Sequence, residues 1–133
     1  MNQASRRPLS SQHTLILETL RAAGRPMTAY EVIDALRPAK SCAPPTIYRA
    51  LNRLIADGLA HRLETLNAYI ACKHAHASNS VPIFEICDVC GKAVESIDSQ
   101  LERYLFRHTA DHGFAATRMA IEIHGTCDQC SRQ

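Results

Sequence analysis

Apolar positions recur along the chain with two different periods, and the change of period marks its organisation. Over residues 10–24, Leu15, Ile16, Leu17 and Leu20 gather on one face at helical spacing, and Gly24 with Pro26 ends the run. A second helix begins at Thr28, where Glu31 three residues on completes a capping box; Val32, Ile33 and Leu36 point inward until Pro38 stops it. The third starts at Pro44-Pro45 and continues to about Asp57, with Gly58 at the C-terminal position. Ile47, Ala50, Leu51, Leu54 and Ile55 share one arc of it, and Tyr48, Arg49, Asn52 and Arg53 take the other. The helical spacing then ends. Residues 59–64 and 67–72, joined around Thr65-Leu66, predict a hairpin. Three helices followed by a hairpin is the order of a winged helix-turn-helix.

The polar stretch from Lys73 to Ser80, KHAHASNS, breaks the pattern and reads as a hinge, dividing the chain into residues 1–73, a hinge over 74–80, and residues 81–133. Beyond it, strands are predicted over 81–86 and 93–97, a helix over 98–112 and a strand over 116–124. The expected fold is α+β: an N-terminal winged helix-turn-helix domain and a C-terminal α/β domain.

Composition sharpens this picture. Hydrophobic residues make up 46% of 133, enough for a core, but aromatics are 5% and Trp is absent, so two half-sized cores would be thin. Thin cores call for a metal, a disulfide or a partner subunit. The net charge of +2 is small, yet Arg6, Arg7, Arg21, Arg25, Arg37, Lys40, Arg49, Arg53 and Arg62 crowd the first half against few acids, while the second is balanced or acidic. That tilt suits a DNA-facing first half. The opening MNQASRRPLS has no apolar run for a signal peptide, and no later stretch can span a membrane, so a cytoplasmic setting is expected. In that setting six cysteines point to metal ligands or free thiols before disulfides.

Cys87-x-x-Cys90 and Cys127-x-x-Cys130 carry the strongest chemistry. Each pair can chelate one ion through a tight turn, and two pairs complete a tetrahedral thiolate shell with no open position, which defines a structural zinc site. A redox dithiol needs only one such pair. A softer constellation comprises His61, Cys72, His74, His76 and Glu95, donors suited to zinc; the thiolate argues against iron(II) and manganese(II). It draws on both halves of the chain, although spacing alone leaves open a solvated hinge with incidental histidines. On the third helix, Tyr48 can stack on a thymine methyl, Arg49 can bond guanine through two nitrogens, and Thr46 and Arg53 can hold phosphates. The pattern alone is equally that of an ordinary amphipathic helix. His108 and His112 lie four apart near a helix end, with Glu102 within reach of a further site, but such histidines are commonly structural. His13 and His124 read as structural and Cys42 as a small packing residue. No nucleophile triad, phosphate loop or pair of catalytic carboxylates can be assembled, so neither an enzyme nor a small-molecule substrate is expected.

Together these segments resemble the ferric uptake regulator family over nearly the whole chain, and within it the zinc-sensing members. Leu9-Ser10-Ser11-Gln12-His13 before an aliphatic run is similar to the family's opening, with His13 where an Arg is usual. Pro44-Pro45-Thr46-Ile47-Tyr48-Arg49-Ala50-Leu51 resembles its recognition helix, and Cys87-Asp88-Val89-Cys90-Gly91 with Gly125-Thr126-Cys127-Asp128-Gln129-Cys130 its structural zinc pairs. His61, Cys72 and Glu95 match sensory ligands. The family's sensory histidine falls at Ser80, leaving His76 as the substitute and His74 as the alternative; Met119 replaces a histidine of an additional site. The resemblance implies a homodimer with one structural and at least one regulatory zinc per subunit. It would bind a pseudo-palindromic operator in double-stranded DNA and repress zinc-acquisition genes. The alternatives are an iron, manganese or peroxide sensor on the same scaffold, or a zinc-stapled redox or metal-carrier protein.

Overall fold

The computed structural model describes residues 8–73 and 81–132, which fall into two compact units divided between Cys72 and Lys73. The architecture is the α+β one that the pattern predicts; the hinge assigned to 74–80 lies outside the described residues.

In the first unit, α1 (Ser11–Ala23), α2 (Ala29–Leu36) and α3 (Pro44–Ala56) precede β1 (Ala60–Leu63) and β2 (Ala68–Ala71). Each helix is delimited by its own chemistry. The Ser10 hydroxyl accepts the His13 N–H at the start of α1, and Gly24 closes it at φ 62°. Both halves of the capping box on α2 form: Thr28 Oγ1 accepts from the Glu31 N–H at 3.2 Å, and Glu31 Oε1 from the Thr28 N–H at 3.1 Å. The bond from the Thr28 backbone is also the main cause holding the Glu31 carboxyl below its ordinary pKa. Pro44 and Pro45 occupy the first turn of α3, where no intrahelical N–H is needed. Its end is a Schellman motif, with Gly58 at φ 74° and bonds from the Leu59 N–H to Leu54 and the Gly58 N–H to Ile55.

Ile16, Leu17 and Leu20 of α1, Val32, Ile33 and Leu36 of α2, and Ile47, Leu51 and Leu54 of α3 form one core, joined by Met27 and Tyr69. Met27 and Tyr69 also exchange backbone hydrogen bonds of 2.8 and 2.7 Å, an added bridge beside the β1–β2 hairpin that periodicity does not reveal. The hairpin pairs Ala60 with Ala71 through Leu63 with Ala68, and Asn67 takes the left-handed conformation at its turn.

The second unit holds β3 (Ile83–Cys87), β4 (Ala93–Ser96), α4 (Ser99–Asp111), β5 (Ile121–Gly125) and a short α5 (Asp128–Ser131). The sheet order is β4–β3–β5, with β3 antiparallel to β4 and parallel to β5. Two expectations shift. The strand expected over 116–124 is confined to Ile121–Gly125, because β3 offers pairing partners only from Ile83 to Cys87. The strand expected from residue 81 begins at Ile83, since Val81 gives its N–H to the Glu102 carboxylate at 2.8 Å and Pro82 has none to give. α5 is unpredicted; four residues are too few to show a period. Asp98 caps α4 through the Gln100 and Leu101 N–H groups, yet none of its residues is buried.

Leu51 is fully buried at the centre of the helical core. Leu51→Ala should cost about 2–5 kcal/mol of first-unit stability, read as a lower denaturant midpoint of its helical signal. A loss well under about 1 kcal/mol would contradict the packing described.

Candidate metal centre and nucleic-acid interface

The two cysteine pairs converge because β3 and β5 run in parallel register. Cys87 ends β3 opposite Gly125, the last residue of β5, so both chains turn at the same edge of the sheet. The first pair turns tightly: the Gly91 N–H bonds the Cys87 carbonyl at 2.9 Å, with Gly91 at φ 79°, and the Cys87 N–H bonds the Lys92 carbonyl at 2.8 Å. Cys127 caps α5 and Cys130 lies within it.

All four sulfurs lie within 4.8 Å of one another. A tetrahedral shell with zinc–sulfur bonds of about 2.3 Å sets the sulfurs roughly 3.8 Å apart, and Cys90 Sγ and Cys127 Sγ are 3.8 Å apart. That is far beyond the roughly 2.0 Å of a disulfide bond, and all six cysteines are free thiols. The donor set therefore fits zinc, and it leaves no position for a reacting water. Acidity is shared unevenly among the thiols. The Cys127 N–H, 3.3 Å from Cys87 Sγ, and the Cys90 N–H lower the Cys87 thiol to about 6. Hydrogen bonding with Cys127, reinforced by burial, raises Cys130 to about 12.

The softer donor set is distributed over both units. His61 pairs with Ile70 in the hairpin, and Cys72 follows β2 with its N–H bonded to the Leu59 carbonyl at 2.9 Å. Their side chains therefore leave the same hairpin face at diagonal positions, within reach of a common ion; both are half-buried. Glu95 lies on β4, is buried, and accepts the Lys73 N–H at 3.2 Å. His74 and His76 lie outside the described residues.

On α3, Tyr48 and Arg49 are exposed opposite the buried Ile47, Ala50, Leu51 and Leu54, and Thr46 is half-buried in the first turn. Arg53 is engaged within the helix, its Nε–H donating to Asp57 Oδ2 at 3.0 Å. Among the remaining candidates, Cys42 is half-buried and accepts from Gln12 Nε2 at 3.2 Å. Glu102 is committed to the Val81 N–H. His112 caps α4, its Nδ1 2.7 Å from the His108 carbonyl and its ring 4.7 Å from that of His108. Asp88 is not among the residues that the sequence singles out; its carboxylate meets His124 Nδ1 at 2.8 Å. The cue lay in the parallel register, which no one-dimensional pattern contains.

A helix-turn-helix with a two-stranded wing, followed by a small sheet closed by a four-thiolate cage, defines a winged-helix protein with a zinc-type structural site. No family model matches the chain. Individual proteins do. The zinc uptake regulation protein of Escherichia coli K12 is 33% identical over 123 residues, 92% of this chain and 72% of its own length. The crystal structure of holo XcZur superimposes with a TM-score of 0.86 at 38% identity, covering 94% of this chain and 87% of that one. A zinc uptake regulator complexed with zinc and DNA reaches 0.89 at 32% identity, covering 94% and 84%. The chain belongs to the ferric uptake regulator family, on the side of its zinc uptake regulators.

The Cys87 thiol sets the acid side of the cage's pH dependence, whereas Cys130, shifted the other way, acts only above about 9. The folded value of Cys87 lies below the ordinary 9.0, so in metal-free protein its thiolate stabilises the fold fully above about 9 and ceases to do so as pH falls through about 6. Ultraviolet thiolate absorbance of metal-free protein should show one thiolate forming near pH 6. Loss of that step in Cys87→Ser would confirm its origin, whereas cysteines that all titrate together near 9 would contradict it.

Proposed function

We propose that this chain is a zinc-responsive transcriptional repressor that binds operator DNA as a homodimer when its regulatory zinc is present, and so controls zinc-acquisition genes. The observation that carries the reading is the superposition on a zinc uptake regulator holding zinc and DNA, coupled to the four-thiolate cage in this chain. Residues 1–73 form the DNA-binding domain, 74–80 the hinge and 81–133 the dimerisation domain. Tyr48 and Arg49 read bases from the exposed face of α3, and Thr46 and Arg53 steady the helix on the phosphates.

Dimerisation answers a deficit in the second unit. α4 buries no residue, and Tyr104, Phe114 and Ile123 stand 56%, 65% and 51% exposed. Apolar surface of that kind is stable in water when a second copy covers it. Cys87, Cys90, Cys127 and Cys130 hold the permanent zinc, which supplies folding free energy that a small core lacks. His61, Cys72 and Glu95, with His76 or His74, hold the regulatory one. Because these donors come from both units, filling the set favours one mutual arrangement. Repression requires only that this arrangement be the DNA-competent one, and operator binding must then tighten zinc binding by the same factor.

No enzymatic role is assigned. The relatives are transcriptional regulators, and the cage has no open coordination position. Among the described residues no helix is long and apolar enough to cross a membrane, and a DNA-bound regulator works in the cytoplasm.

The separate parts of this reading give different signatures in one assay of operator binding at buffered free zinc. Arg49→Ala should weaken specific binding by about 1–3 kcal/mol at saturating zinc. Cys72→Ser should leave maximal binding intact but move the zinc midpoint upward. A Cys72→Ser protein with a normal zinc response would favour an iron, manganese or peroxide sensor. An Arg49→Ala protein with full specific affinity would remove α3 as the reader.

A further inference from the structure

The parallel pairing of β3 and β5 brings the two cysteine pairs to one edge of the sheet, and a side-chain contact beside them adds to that backbone pairing. Cys87 and Cys127 belong to segments forty positions apart in the chain, and beyond the last strand pairing each cysteine pair follows its own turn. Besides the contact between the Cys90 and Cys127 sulfurs, three links join them among the described residues. The Asp88 N–H bonds the Gly125 carbonyl at 2.9 Å. The Cys127 N–H reaches Cys87 Sγ at 3.3 Å. The third is made by side chains: His124 Nδ1 lies 2.8 Å from Asp88 Oδ1. Asp88 is the residue after the first ligand and His124 the third before Cys127, so this bond joins the two segments that carry the cysteine pairs.

We propose that Asp88 and His124 form a latch across the two cysteine pairs, holding the thiolate cage closed and slowing the escape of its zinc. This rests on the reading that Cys87, Cys90, Cys127 and Cys130 bind zinc. Neither residue is a ligand; both are positioning residues. A tetrathiolate site loses its ion when one thiolate after another swings away. The step that opens the cage widely is separation of one cysteine pair from the other. With the latch intact, that separation must also break the Nδ1–H···Oδ1 bond and the neighbouring backbone bond. His124 projects from β5 and is paired through the sheet to Ile86, so its position is anchored by five successive residue pairings. Asp88, by contrast, lies just past the last strand pairing, in the turn that carries Cys90, and is the partner that the bond restrains. The contact is also half open to water, with the two side chains 33% and 60% exposed. That makes it a kinetic restraint on opening and a poor source of core stability, so its loss should appear in zinc release before it appears in folding.

The test is the rate of zinc transfer from the full-length, zinc-loaded protein to an excess of a chromophoric chelator, with thermal unfolding and the spectrum of the cobalt(II)-substituted form measured in parallel. Asp88→Ala and His124→Ala should each release the cage zinc about tenfold faster, the lower end of what outer-shell partners of metal ligands contribute. Their four-thiolate cobalt spectra and melting temperatures should stay near those of the parent. Asp88→Asn keeps an oxygen that accepts from His124 Nδ1–H and should restore slow release. The double alanine variant should be no faster than either single one, because both remove one bond. Parent-like release from both alanine variants would overturn the latch, as would an Asp88→Asn protein as fast as Asp88→Ala. A parent protein without tightly held zinc and without a four-thiolate cobalt spectrum would instead overturn the cage reading beneath it.

Discussion

Everything in the second unit turns on the place where two parallel strands end together. A sheet of three strands, five residues at most in each, with a helix that buries none of its own residues, has little apolar surface to set against the entropy of ordering its chain. The parallel register of β3 and β5 brings Cys87 level with Gly125, and the turns beyond them bring four sulfurs to mutual distances that a tetrahedral ion requires. An ion there ties the first strand of the unit to its last segment. It acts as a staple would in a small secreted domain, through thiolates that survive a reducing compartment.

The first unit needs no such device. Its three helices enclose a continuous core; their starts are met by a capping side chain or a proline pair, α1 and α3 end on left-handed glycines, and the last carbonyl of α2 accepts from the Ala39 and Lys40 N–H groups. The same periodicity that buries Ile47, Leu51 and Leu54 turns Tyr48 and Arg49 outward, so a sound core and a chemically equipped surface are two consequences of one helix. In the proposed repressor the units divide the labour: one recognises DNA, the other pairs the subunits, and donors on each contribute to sensing.

Local signals in the chain are legible where they are dense. The capping box at Thr28 and Glu31, the proline pair at α3 and Gly58 behind it are short-range chemistry, and all form as the residues dictate. The cysteine pairs were equally legible, because chelation by a tight turn depends on spacing alone. Strand limits were not. Residues 116–124 read as one strand, but a strand needs a partner, and β3 is only long enough for Ile121–Gly125. The Met27–Tyr69 bridge and the Asp88–His124 contact were invisible for the same reason: both join segments far apart in sequence. The choice of His76 over His74 as the fourth regulatory donor rests on the resemblance, since both lie in a polar stretch outside the described residues.

The central claim is that zinc, and no other metal ion, licenses DNA binding by this fold. It is tested most directly by titrating the full-length protein against promoter fragments of zinc-acquisition genes with free zinc buffered over a wide range, and with iron(II) and manganese(II) in parallel. The account predicts specific binding that appears only as zinc rises, with the cage zinc already present before the transition. Specific binding that ignores zinc and follows iron or manganese would contradict it, and an absence of specific binding under every metal would remove the repressor altogether.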